Sequence, residues 1–439
     1  MKTIEARPTT RAVRLRRWPA GTGDSLLRER PESLADYRAS WRPDIGFPAL
    51  EQLADLCDRV GLRGRGGAGF PLATKLRAVG MRARAAGVAP VVVANGDEGE
   101  PASAKDRYLL RYRPHLVLDG LTIAAHALEA QRAVVYLADD ELAAAVRGRL
   151  GGLDGPVPNV VLAPGRYVAG EETAAVRMIS EGVPKPTAKP PRPHERGVDG
   201  RPTLVANVET LAHLARAVRL GPDVIAAAGT TDEPGVTLLT VVPDVGEACL
   251  VEVPFGVRLS ELLRFLGVGT EPAPAAVLTG GFFGGFLPRS RWDVPIGHTS
   301  MRAADAALGC GSILVIRDGC PVDVAHELLD YFAEENARQC GVCINGTRAM
   351  ADALGRVAAH QAEVEDPDRL RRWSETLPGR GDCALLDAAC RIVSTLFAHT
   401  DGALQRHLDQ PCATCARGHE RRPRTRFAVG LARPSEGER

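Results

Sequence analysis

Lysine is nearly missing from this chain. Among 55 lysine and arginine residues only five are lysine, namely Lys2, Lys75, Lys105, Lys185 and Lys189. The imbalance reads as genome composition, yet it makes the surviving lysines informative, because a compact ammonium serves a phosphate differently from a planar guanidinium. An excess of either charge is missing as well. The formal net charge of +1 offers nucleic acid no global attraction. No stretch is long and apolar enough to span a bilayer, so direct membrane insertion is not expected. The basic N-terminus, MKTIEARPTTRAVRLRR, lacks the apolar core of a secretory signal. The expected location is the cytoplasm. At 439 residues with 45% hydrophobic content, the chain has room for two to four globular domains.

Cysteine is what the chain does have. Ten cysteines in a cytoplasmic setting argue for thiol or metal chemistry rather than disulfides. Cys57, Cys249, Cys310 and Cys320 stand alone and read as small buried hydrophobes. Cys340-x2-Cys343 and Cys412-x2-Cys415 have ligand spacing, with Cys383 and Cys390 between the pairs. In the tail, His407-x4-Cys412-x2-Cys415-x3-His419 leaves three readings open. It could bind a zinc ion as a Cys2His2 set, lend a thiolate to a neighbouring cluster, or be a tail with chance cysteines.

Glycine is concentrated where it matters. GLRGRGGAGFPLATK, residues 61–75, places Gly64, Gly66, Gly67 and Gly69 within six positions. Such a run lets backbone N–H groups converge without Cβ interference, a nest suited to phosphate at the start of a helix. It spells G-x-G-x-x-G, but Ala49, Leu53, Leu56 and Val60 before it have helical spacing, whereas a dinucleotide fingerprint follows a strand. Further on, Val91–Ala94, Ala133–Leu137 and Asn159–Ala163 read as strands alternating with helical segments such as His115–Ala130. That rhythm predicts an α/β layer with a largely parallel sheet. Pro184–Pro202 is too proline-rich for a helix or central strand. Val236–Val242, Cys249–Val253, the helix Leu259–Leu266 and Ala275–Thr279 form a compact β-rich unit. From Val322 the pattern is helical: Val322–Glu335, Thr347–His360, Leu370–Leu377 and Ala384–Thr400. The expected divisions are an irregular arm (1–45), an α/β domain (46–230), a β-rich domain (231–310), a helical domain (311–405) and a Cys/His- and Arg-rich tail (406–439).

Five motifs in order carry a family resemblance: GLRGRGGAGFP, NGDEGEPASAKDR, GRYVAGEETA, AKPPRP and GRPTLVANVETLA. Together they resemble the NADH-oxidising flavoprotein subunit of respiratory complex I and the related subunits of NAD-linked hydrogenases and formate dehydrogenases. The resemblance runs from about residue 46 to 400. It implies an α/β FMN-binding domain, a small ubiquitin-like β-grasp (SLBB) domain and a C-terminal helical bundle holding a 4Fe-4S cluster. It implies an FMN cradle at Gly64, Arg65, Gly66 and Lys75, with Gly67, Ala68, Gly69 and Phe70 facing the nucleotide. Asn95, Asp97, Glu98 and Glu100 match the acidic flavin motif; Tyr167, Gly170, Glu171 and Glu172 match the next stretch, and Asn207 the last. Glu172 also suits a helix N-terminus and Asn207 a helix cap. Glu100 and Lys189 are expected to position the nicotinamide of NAD(H). Cys340, Cys343 and Cys383 are the expected cluster ligands. The implied activity is that of an NADH:acceptor oxidoreductase delivering electrons to a redox partner, a ferredoxin or another subunit. The rivals are an FMN electron carrier that no longer uses NADH and a non-catalytic scaffold.

Two departures qualify what the resemblance implies. The family holds adenine between two aromatic rings, and this chain has Ala78 at one of those positions and Arg192 at the other, in KPPRP. The family's first cluster cysteine is replaced by Ala337, so three thiolates stand where four are expected. A 4Fe-4S cluster with one oxygen, nitrogen or non-protein ligand, a three-iron cluster and zinc all remain open at that site.

Overall fold

Two sheets organise the molecule in the computed structural model, which describes residues 10–19, 25–40, 46–151, 156–269, 273–400, 402–418 and 426–431. The strands in chain order are β1 (Arg11–Arg17), β2 (Val91–Asn95), β3 (Arg132–Leu137), β4 (Asn159–Leu162), β5 (Thr203–Asn207) and β6 (Val236–Pro243). They continue with β7 (Ala248–Pro254), β8 (Ala276–Thr279), β9 (Gly285–Leu287), β10 (Ser312–Ile316) and β11 (Val429–Gly430).

The first sheet has the order β4-β3-β2-β5, all parallel. Its central strand reads VVVAN, with all but the last residue buried, as expected of a parallel strand covered on both faces. The helices Leu72–Ala86, Pro114–Ala127 and Val208–Leu220 belong to this layer. The last two pack together at Gly120, where an added Cβ would stand 2.0 Å from the Leu211 carbonyl oxygen. From β2 the chain moves to β3 and β4 on one side, then returns to β5 on the other. Strand order therefore reverses between β2 and β5, the place where open α/β sheets form a crevice at their carboxyl ends. Asn95 and Asn207, register partners at the last positions of β2 and β5, mark that crevice.

The second sheet is mixed, in the order β11-β1-β7-β6-β10-β8-β9. β6 and β7 form an antiparallel hairpin, β10 lies parallel to β6, and the helix Leu259–Phe265 covers one face. Two expectations change here. Residues 11–17, expected in an irregular arm, form β1, which runs parallel to β7 and carries β11 from the tail on its other edge. The divide at 310 also cuts the sheet, because β10 sits between β6 and β8. The helical region follows, with Pro321–Glu335, Gly341–Ala358, Asp366–Thr376 and Leu385–His399 packed around one core, then the shorter Ala403–Asp409 and Ala413–Gly418. No described helix is long and apolar enough to cross a membrane.

Candidate flavin site and thiol cavity

The glycine run folds back on itself before opening a helix. The Gly64 amide donates to the Phe70 carbonyl at 2.9 Å and the Leu72 amide to that of Leu62 at 3.0 Å, and Pro71 then caps Leu72–Ala86. Gly67 and Gly69 have φ of 132° and 62°, conformations that favour glycine. Gly66 approaches the crevice so closely that a Cβ would stand 3.2 Å from that of Asn207. Ala68 and Phe70 follow in the loop, and Phe70 is exposed. Arg65 does not present its guanidinium to the nest. It is 5% exposed, lies 4.6 Å over the Phe255 ring and sits 2.9 Å from His298 Nε2, while its amide donates to Thr210 Oγ1. It anchors the loop to the second sheet. Lys75, half-buried, brings a cation to the crevice, where it reaches Glu172 at 3.3 Å and the Val205 carbonyl at 3.4 Å.

The acidic motif divides by role. Glu98 accepts from Ser103 Oγ, from the Asp106 and Arg107 amides and from Arg107 Nε, so its oxygens start the helix Lys105–Tyr112. Asn95 donates to the Gly170 carbonyl at 2.9 Å. Asn207 caps Val208–Leu220 through the Glu209 amide and donates to Asp106 at 2.6 Å. Asp97 differs from all of these. Both its carboxyl oxygens are buried without a hydrogen-bond partner among the described residues, and burial pushes its pKa up to about 7. Glu100, 8% exposed, accepts from Tyr167 Oη at 3.1 Å and the Phe282 amide at 3.0 Å, and burial raises it to about 7 also. Glu171 caps the helix Glu172–Glu181 through the Thr173 and Ala174 amides. Lys189 bridges Glu171 at 2.6 Å and Glu172 at 3.1 Å, so the proline-rich segment is tied to the flavin motifs.

Sequence reasoning passed over two features here. Lys105, fully buried, pairs with Asp106 at 2.7 Å and Glu209 at 3.1 Å and donates to Asn207 at 3.2 Å. The rarity of lysine was the clue available to it. The second is an aromatic cluster: Tyr167 stacks on Phe283 at 5.5 Å between ring centroids and meets Tyr331 edge-on at 5.2 Å. Tyr331 belongs to Pro321–Glu335, the helix that leads to the cysteines.

The cysteines line a separate cavity. Cys340, Cys343 and Cys383 surround it with Ala337, Asp382 and Pro186. Cys340 begins the helix Gly341–Ala358, and its thiol lies 3.2 Å from Asp382 Oδ2. Ala337 adds no ligand atom, and Asp382 is the carboxylate on the lining, beside Asn336, Arg338 and Gln339. Three hydrogen bonds tie this segment to the flavin motifs and the proline-rich segment. Glu335 accepts from Arg166 Nε at 3.2 Å and from the Tyr167 amide at 3.3 Å, and Gln339 donates to the Pro186 carbonyl at 2.8 Å.

Comparison with known proteins agrees with this layout. The Nuo51 FMN-binding domain model matches residues 57–216, and the iron–sulfur binding region model of NADH-ubiquinone oxidoreductase-F matches residues 323–407. The F 2 subunit of the NADH-quinone oxidoreductase of Rhizobium meliloti (strain 1021) is 30% identical over 88% of this chain and 96% of its own length. The chain belongs to the NADH-quinone oxidoreductase-F family. The NADP-reducing hydrogenase subunit HndC of Solidesulfovibrio fructosivorans is 33% identical over 81% of this chain and 76% of its own. A crystal structure of an NAD+-reducing [NiFe]-hydrogenase in the H2-reduced state superposes with a TM-score of 0.73 at 33% identity, covering 83% of this chain. This chain spans 64% of that solved chain.

The residues present fit the family's two groups. For FMN there are a glycine nest at a helix start, a half-buried lysine and a buried carboxylate with no partner among the described residues, all at a sheet switch point. For the iron–sulfur cluster there are three thiols on one cavity, with the Asp382 carboxylate beside Cys340 on the same lining. Among the described residues, Cys412 and Cys415 do not line that cavity. Cys320, expected to be a lone buried hydrophobe, closes with His407, Cys412 and Cys415 into one group whose ligand atoms all lie within 4.8 Å of each other. His419, expected in that set, lies outside the described residues.

Proposed function

We propose that this protein is a flavoprotein electron-transfer subunit that oxidises NAD(P)H through FMN and passes electrons through an iron–sulfur cluster to a redox partner such as a ferredoxin or a neighbouring subunit. Bound there, FMN would supply two-electron uptake with one-electron release, and an iron–sulfur cluster a one-electron relay. The chain's own residues bind, orient and exclude water. The nest of Gly64, Gly66, Gly67 and Gly69 with Lys75 would hold the phosphate, and Asn95 and Asp97 at the end of β2, with Gly170, would line the flavin's place. Glu100, fixed by Tyr167 and the Phe282 amide, and Lys189, fixed by Glu171, position the nicotinamide. Cys340, Cys343 and Cys383 hold the cluster, with Asp382 filling the place where Ala337 offers no ligand. The hairpin, covering helix and parallel β6–β10 pair support an SLBB-type β-grasp unit in the second sheet.

The observation that carries this reading is the continuous link from Glu100 through Tyr167 and Glu335 to the cysteine loop. Absorbance spectra of anaerobic protein test it. Yellow protein bleached by NADH or NADPH is expected. Yellow protein bleached by neither would leave an FMN carrier, and protein that takes up no FMN would leave a scaffold.

A second reading takes NADPH as the donor and rests on Arg192. Glu195 accepts from the Arg192 amide at 2.9 Å and from Arg82 at 3.0 Å, which brings exposed Arg192 toward the helix that carries Ala78. A guanidinium there stacks on adenine or pairs with a 2′-phosphate. Arg192→Phe should restore one aromatic and tighten NADH several-fold, since a stacked aromatic contributes about 1 kcal/mol. A selective loss of NADPH turnover with NADH unchanged would assign Arg192 to the 2′-phosphate.

A further inference from the structure

At the far end of the helix Pro321–Glu335 from the cysteine cavity, three segments distant in sequence converge on one point. Cys320 caps the start of that helix, His407 lies on Ala403–Asp409, and Cys412 and Cys415 flank the start of Ala413–Gly418. His407 Nε2 stands 3.2 Å from Cys320 Sγ and 3.1 Å from Cys415 Sγ. Cys320, His407 and Cys415 are buried and Cys412 is half-buried. We propose that Cys320, His407, Cys412 and Cys415 bind one zinc ion in a closed, structural Cys3His site that fastens the tail to the iron–sulfur domain.

The ligand chemistry and spacing favour zinc over a cluster. With Zn–S of about 2.3 Å and Zn–N of about 2.0–2.1 Å, tetrahedral ligand atoms lie roughly 3.5–3.8 Å apart. The observed set, all within 4.8 Å, needs only small adjustments to reach that. A cubane cluster puts a different iron behind each ligand and holds thiolates farther apart than a single ion does. Three sulfurs and one imidazole in tetrahedral array are a zinc donor set, and four protein ligands leave no open position for catalysis.

The histidine is already oriented for the task. Its Nδ1 lies 2.7 Å from the Ala403 carbonyl. A carbonyl only accepts, so Nδ1 carries the proton and Nε2 turns its lone pair toward the cysteines. Outer-sphere bonding of this kind fixes ligating histidines in general. His360 Nδ1 donates to the His407 carbonyl at 3.0 Å and holds the short helix from the other side. Because the four ligands come together only in the folded chain, binding the ion contributes to folding directly.

Metal analysis of the full-length protein, purified anaerobically from medium containing zinc and iron, tests this. One zinc per chain is expected besides the iron. Cys415→Ser and His407→Ala should cut zinc at least tenfold and leave flavin and iron in place, while Cys343→Ser should remove iron and leave zinc. Growth on cobalt should give the wild type the visible bands of a tetrahedral thiolate-bound Co2+, which needs no variant to fold. Wild type without zinc and without that cobalt spectrum would overturn the proposal. So would zinc that disappears with Cys343→Ser and persists in Cys415→Ser, or iron that Cys415→Ser removes as completely as Cys343→Ser does. None of these readouts depends on NAD(P)H oxidation, so the proposed activity and the zinc site stand or fall separately.

Discussion

Both carboxyl oxygens of Asp97 are buried and unpartnered among the described residues, and its pKa of about 7 follows from burial first and the neighbouring Glu98 and Asp106 second. Its folded pKa is raised above its unfolded one. Between about pH 4 and 7 the folded state therefore holds a proton that the unfolded state has released, and stability falls as pH rises through that window. At about 1.4 kcal/mol per unit, Asp97 accounts for up to about 4 kcal/mol of that loss. Asp97→Asn removes the titration. Denaturation of flavin-free protein at several pH values should give a wild-type-minus-variant difference that declines from pH 4 to 7 and is flat above. A flat difference throughout would mean that Asp97 is not raised. The same variant should bind FMN more weakly at pH 8, where the wild-type carboxylate is ionised and accepts hydrogen bonds. At this scale the sequence placed Asp97 in the flavin motif but could not separate it from Glu98. That distinction depends on helix Lys105–Tyr112 consuming every Glu98 oxygen, which only the folded chain decides.

Elements were legible in proportion to how local their driving force is. The buried strands β2 and β3 are near-continuous apolar runs, and the long C-terminal helices carry their own periodicity, so both could be read from the sequence. β1 could not. Four of its seven residues are arginine, only Val13 is buried, and its partners lie in β7 and β11. Cys320 escapes a local reading for the same reason: its partners lie beyond residue 400. The loop from Asn336 to Cys340 shows the opposite, a departure visible in the sequence whose spatial neighbour, Asp382, is not. Ala337 supplies no thiolate, and Asp382, adjacent to Cys383, turns its carboxylate to within 3.2 Å of Cys340 Sγ. An iron held by an oxygen ligand is easier to lose than one held by a thiolate. Ala337→Cys is expected to raise iron toward about four per chain and to protect it from air. Asp382→Asn should lower it toward about three and bring up the paramagnetic signal of an oxidised three-iron cluster. Unchanged iron and an unchanged signal in Asp382→Asn would reduce Asp382 to a hydrogen-bond partner of Cys340.

Across the whole molecule, the first and last described strands, β1 and β11, lie side by side. β11 pairs with β1, and the Val429 amide donates at 3.0 Å to the carbonyl of Pro101, the residue after Glu100. Arg107, which also holds Glu98, donates to the Val429 carbonyl at 3.1 Å. Arg426, nearly buried, binds Asp323 at 2.8 Å and Glu327 at 2.6 Å on the helix that begins after Cys320, and Phe427 beside it is fully buried. The described residues 426–431 thus touch the acidic motif ending at Glu100 on one side and the helix Pro321–Glu335 on the other. Arg426→Met keeps much of the side-chain volume but takes the cation away from two buried carboxylates, which costs about 3–5 kcal/mol where such a pair is broken. Chemical denaturation should show a loss of that order. Loss of that anchor is expected to free β11 from Pro101, so flavin should also leave at lower temperature, read as a rise in free-flavin fluorescence before the helices melt. If the helices lose stability while flavin release stays where it was, the tail secures the iron–sulfur domain alone and β11 does not support Glu100. If neither moves, Asp323 and Glu327 are neutral in the fold and the Arg426 pairing adds no net stability.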